Sequence, residues 1–110
     1  MDLTFTTNRI GDSTVLSVAG EVDHHTAPSL AAQIDGLLGA GVDELVLDLR
    51  AVTFFDSSGL GVLVGARKHA EREGAALVLA NLAPNVLRIF TLTKMDAVFD
   101  IITTGAGAAR

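Results

Sequence analysis

Two short apolar runs, Glu44-Leu45-Val46-Leu47-Asp48-Leu49 and Ala76-Leu77-Val78-Leu79-Ala80, stand on either side of a stretch with helical period. That order limits the fold more than anything else in the chain. Two strands joined through a helix must cross over and run parallel in one sheet. The first run is nearly continuous in apolar residues, the pattern of a central strand covered on both faces. Phe54–Gly59 forms the connection out of it, and a helix extends from about Ser58 to Glu73, with Gly74 behind it. Leu60, Leu63, Val64, Arg67 and Ala70 lie on overlapping faces of that helix. Its first half is apolar nearly all round and its second half is charged, so its N-terminal end should enter the core.

The flanking segments extend the same pattern. Residues 3–7 and 14–20 read as strands, joined by turn chemistry at Gly11-Asp12, and predict an antiparallel hairpin. Thr26 and Pro28 mark a helix start, with Thr26 accepting from open amides. Leu30, Ile34, Leu37 and Leu38 form its apolar stripe, and Gly39 and Gly41 end it. Pro84 opens a short third helix with Val86, Leu87 and Phe90 inward, and Val98–Ile102 reads as a last strand. The expected architecture is α/β, in the order β-β-α-β-α-β-α-β, with a mainly parallel sheet beyond the N-terminal hairpin. Residues 1–110 make one domain, with 103–110 as a frayed Gly/Ala-rich tail.

Composition removes whole classes of function. Eight Lys and Arg against thirteen Asp and Glu leave a net charge of −5. That balance opposes binding to a phosphate backbone or an anionic membrane. With no cysteine, the chain lacks disulfides, thiolate metal sites and Cys nucleophiles. No basic segment precedes an apolar run at Met1–Phe5, and no apolar stretch is long enough to span a bilayer. These features predict a cytoplasmic domain, monomeric when free, with no nucleic acid, membrane, metal or cofactor to hold.

Sites in open α/β sheets form at the carboxyl ends of strands. Here those ends are the loops Gly20–Thr26 and Thr53–Gly61, which single out Asp23, His24, His25, Asp56, Ser57 and Ser58. A nucleophile elbow fails because Phe55 stands where a Gly is needed before Ser57. No Gly-Lys-Ser/Thr occurs, and Val64 breaks the glycine string begun by Gly59 and Gly61. Those two glycines read instead as close packing at the helix start. Asp23-His24-His25 has too few companion ligands for a metal centre, and His69 reads as solvated. Asp23 and Asp56 read as helix N-terminal anions rather than as a catalytic pair. The chain therefore reads as a non-enzyme. Ser57 has two readings. One is a plain helix cap. The other is an exposed hydroxyl over unsatisfied amides, where a phosphate would add about −1.5 to −2 charges without unfolding the helix.

Phe55-Asp56-Ser57-Ser58-Gly59-Leu60-Gly61-Val62, preceded by Gly20-Glu21-Val22-Asp23-His24-His25-Thr26-Ala27, resembles the STAS domain family. Within it the chain is most similar to anti-sigma factor antagonists of the bacterial sporulation and general-stress type. The apolar strand Leu45–Leu49 and the segment Asn81 to Phe90 extend the likeness over nearly the whole chain. The resemblance implies a STAS-like fold and a partner-switching function in transcription. The unphosphorylated antagonist binds an anti-sigma factor, itself a serine kinase of histidine-kinase-like ATPase fold, and so frees the sigma factor. Phosphorylation of the Ser after the Asp, Ser57 here, releases the complex, and a serine phosphatase reverses it. Ser58 is the second choice of acceptor. Glu21, Asp23, His24, Thr26, Asp56, Ser58, Gly59, Leu60 and Gly61 are the implied partner-binding residues. Related chains carry a Gly after the third helix where this one has Thr93-Lys94-Met95, which puts the turn there in question. The alternative is an accessory STAS domain for nucleotide sensing or protein assembly, with Ser57 serving only as a cap.

Overall fold

The computed structural model describes residues 2–104. Strands β1 (Thr4–Ile10) and β2 (Ser13–Val22) form the hairpin, and α1 (Ala27–Gly39) leads to β3 (Glu44–Phe55). Then come α2 (Ser57–Glu73), β4 (Ala76–Ala80), α3 (Pro84–Leu92), a 3-10 turn (Met95–Ala97) and β5 (Asp100–Ile102). One five-stranded sheet runs in the order β1-β2-β3-β4-β5, antiparallel between β1 and β2 and parallel thereafter. The expected α/β order and the antiparallel opening hairpin are both present.

Among the described residues, helices cover one face only. Leu16, Val18, Val22, Leu45, Leu47, Leu49 and Leu79 on that face pack with Leu30, Ile34 and Leu38 of α1, Leu63 and Ala66 of α2, and Val86 and Phe90 of α3. Their alternates Val15, Val46 and Val78 sit side by side in register on the other face and are half-buried. The expectation that β3 is covered on both faces is therefore corrected. Asp48 and Glu44 share the row of Val46, so the run alternates despite its apolar content.

The strand β3 is six residues longer than the expected Glu44–Leu49, because two irregularities keep it paired. Its register against β2 shifts between Ser17 and Ala19 and again between Gly20 and Glu21. Each shift puts an extra residue into β3 and turns the next apolar side chain inward. Burial thus passes from Leu49 to Val52 to Phe55. Strands β1 and β2 likewise extend past the expected 3–7 and 14–20.

The other differences are local. The buried stripe of α2 is Gly59, Leu63, Ala66 and Ala70, so the helix packs along its whole length and not by its first half alone. Leu60, Val64 and Arg67 are only half-buried. Leu87 is exposed, not inward; Val86 and Phe90, four apart, take the core side of α3. The last strand begins at Asp100, since the 3-10 turn holds Val98 out at 40% exposure. Lys94 takes φ +62, a left-handed position that favours Gly, so the turn in question after α3 forms with Lys94 in it. Thr104, in the expected tail, is hydrogen-bonded to the body of the domain. Its N–H donates to Asn81 Oδ1 at 2.9 Å, and its hydroxyl accepts from Asn81 Nδ2 and Arg50 Nη2. Residues 105–110 of the expected tail lie outside the described residues.

Candidate functional site

The ends of β2 and β3 are bound into one rim. Val22 pairs with Phe55, and the N–H of Asp56 donates to the Val22 carbonyl at 3.3 Å. Asp23 follows the end of β2, and Asp56 and then Ser57 follow the end of β3. Gly59 locks α2 against this rim. A Cβ there would stand 2.7 Å from Val22 Cγ1 and 2.7 Å from the Phe55 ring, so any side chain at 59 forces one of them to shift. Phe55 is backed by Phe90, with ring centroids 5.7 Å apart, and Phe90 in turn meets Phe99 edge-on. The close-packing role expected of both glycines holds for Gly59. It fails for Gly61, whose α-carbon faces open space.

Asp56 caps α2. Its backbone is extended and its Oδ1 accepts from the Ser58 N–H at 2.8 Å. Its carbonyl accepts from the N–H groups of Gly59 and Leu60. Ser57 is therefore the first helical residue and not the cap, and its hydroxyl is exposed. The amides expected to lie open beneath Ser57 are taken: the three that follow it already point at Asp56.

The opposite loop is built by Asp23 and Thr26. Oδ1 of Asp23 accepts from the N–H groups of His25 and Thr26, at 2.9 and 3.0 Å. In return the Asp23 N–H donates to Thr26 Oγ1 at 3.0 Å, and that hydroxyl donates to the Glu21 carbonyl at 2.7 Å. This is a reciprocal capping box. The Ala27 N–H reaches back to the Asp23 carbonyl at 2.8 Å, so the helical turn starts at Asp23. Thr26, expected to cap α1 with its side chain, makes no side-chain cap bond to that helix and is buried inside the loop. The Asp23 carboxyl is held below its ordinary value chiefly by the Thr26 N–H. Partial desolvation opposes this, and the His25 N–H, the Thr26 hydroxyl and the His25 charge add to it.

The rim brings most of the sequence-derived residues together. Glu21, Asp23, Asp56, Ser58 and Leu60 are half-buried, while His24, Ser57 and Gly61 are exposed. Thr26 and Gly59 are buried and shape the rim from within. Neither 20–27 nor 51–66 contains a Lys or Arg. The rings of His24 and His25 lie with centroids 4.0 Å apart, tilted by 38°. Sequence reasoning missed Phe54, which is 46% exposed beside Glu21. Two consecutive Phe in a strand cannot both face the core, which was the available signal. His69 is not solvated: its ring bridges Asp35 of α1 at 2.8 Å and Glu73 at 3.5 Å, with 19% of the side chain exposed.

Comparisons with known proteins agree with the fold. An anti-sigma-B factor antagonist of Bacillus subtilis is 35% identical over 95 residues, which cover 86% of this chain and 86% of that protein. Its counterpart in Listeria monocytogenes is 36% identical over 84 residues, covering 76% and 74%. The crystal structure of an anti-sigma factor antagonist from Mycobacterium paratuberculosis superposes with a TM-score of 0.86 at 30% identity, over 97% of this chain and 91% of that one. The family model described as the STAS domain matches residues 4–108, and the chain belongs to that family.

Proposed function

We propose that this protein is an anti-sigma factor antagonist whose grip on its partner is switched at Ser57. Unphosphorylated, the rim of Glu21, Asp23, Asp56 and Ser57 binds an anti-sigma factor that is also a serine kinase, and the sigma factor is freed. The kinase passes the terminal phosphoryl group of ATP to the Ser57 hydroxyl, and the modified protein lets go. A serine phosphatase in the same cytoplasm restores the hydroxyl. The protein itself turns over no substrate.

The observation that carries this reading is the exposed Ser57 hydroxyl above amides that Asp56 already occupies. A phosphate there gains no cradle from the helix and no Lys or Arg from either loop. It stands beside the carboxylate of Asp56 and adds to it, so the rim becomes more anionic while the fold stays as it was. A partner fitted to a neutral hydroxyl then meets an uncompensated dianion. A thousandfold loss of affinity needs only about 4 kcal/mol, within reach of such a desolvation and repulsion penalty.

Incubation with a kinase-type anti-sigma factor and ATP, followed by phosphosite mapping by mass spectrometry, tests the acceptor. The expected product carries one phosphate, on Ser57. Modification absent from both Ser57 and Ser58 overturns the reading.

A further inference from the structure

We propose that the outer edge of β1 pairs antiparallel with β1 of a second copy, in register about Thr7, to give a reversible homodimer. The strand lies at the end of the sheet order and, among the described residues, is bonded to β2 on one side only. Phe5 alone of its seven residues is half-buried; the others are exposed.

The hairpin turn decides which groups face outward. Ile10 pairs with Ser13 across Gly11-Asp12, and Gly11 has φ +61 at the first central position, as in a two-residue primed turn. The closing pair of such a hairpin exchanges both hydrogen bonds, and bonded pairs then recur at every second residue. Ile10, Asn8, Thr6 and Thr4 thus turn their N–H and C=O groups onto β2. Arg9, Thr7 and Phe5 turn theirs outward, toward no other described strand.

Apart from the single charge of Arg9, the usual guards of an edge are missing. The strand has no Pro and no Lys, and its register with β2 is unbroken by a bulge. Its residues also complement themselves. Thr7 is the midpoint, so an antiparallel pairing about it matches the strand end to end and uses the outward groups of Phe5, Thr7 and Arg9 together. Phe5 of each copy then faces Arg9 of the other, an aromatic ring opposite a guanidinium. Arg9 is the only charge on the strand, and the two Arg9 side chains lie at opposite ends of the pair. A single strand edge is smaller than a standard interface, so the dimer is weak. The monomer expected from size and charge is the dilute species.

Sedimentation equilibrium of the full chain, from about 10 μM to about 1 mM, reads the association. The mass is expected to rise toward that of a dimer, while the amides of Phe5, Thr7 and Arg9 gain protection from hydrogen exchange with concentration. Thr7→Lys sets two ammonium groups across the axis and weakens association about fivefold or more. Thr7→Pro removes an outward N–H and leaves the ladder to β2 intact, so it blocks pairing without unfolding the sheet. A monomer at every concentration overturns the proposal, as does protection that appears elsewhere, or association of both variants equal to that of the unaltered protein.

Discussion

The N–H of Asp56 donates to the carbonyl of Val22 at 3.3 Å, which ties together the two strand ends that carry Asp23 and Ser57. A loop on a free strand end would wander; these two are held by the sheet ladder itself. The rim is therefore already shaped before any partner arrives, which lowers the ordering cost of binding. Gly59 and Phe55 set the angle at which α2 leaves it.

Gly59→Ala should distort that joint. The new methyl meets Val22 and the Phe55 ring, neither of which is a free chain end. Overpacking outweighs the better helix propensity of Ala, for a net loss of about 1–2 kcal/mol. Gly61→Ala meets nothing and should gain about 0.5–1 kcal/mol. Urea denaturation of the two variants checks the opposite signs.

Asp56→Ala should cost about 0.5–2 kcal/mol, because it strips the cap from the Ser58 N–H. Asp56→Asn keeps an accepting oxygen and should recover most of that loss. Thermal melts of the pair separate the hydrogen bond from the charge.

Asp23 should give the fold an acid-sensitive contact. Its folded pKa lies below the ordinary 3.8 because Thr26 and His25 donate to the ionised carboxylate. The stabilisation is complete above the unfolded value and disappears as pH falls through the folded one. A carboxyl NMR titration should place the Asp23 midpoint below 3.8, and Asp23→Asn should flatten the stability curve in that acid range.

Lys94→Gly should stabilise the protein by about 1 kcal/mol, since Lys94 sits at φ +62 where a side chain is strained. Calorimetric melting of the variant measures the gain directly.

Element order was readable because the hydrophobic period switches cleanly between strands and helices. The end of β3 was not. Its two bulges break the alternation, so Thr53-Phe54-Phe55 looked like a connection although Val22 and Phe55 are still paired. Val46 and Val78 made a half-open face look closed, since burial of an apolar strand residue depends on whether a helix lies over it. Asp23, Asp56 and Ser57 were legible as a group from the loops that follow the strands. Which group caps which was not, because Asp56 and Ser57 are both good caps and only the backbone turn chooses between them.

Titration calorimetry with a kinase-type anti-sigma factor, comparing unmodified and Ser57-phosphorylated protein, bears most directly on the switch. The account predicts tight binding for the hydroxyl form and a loss of about a hundredfold to a thousandfold for the phosphorylated one, or about 3–4 kcal/mol. Equal affinity of the two forms would contradict it.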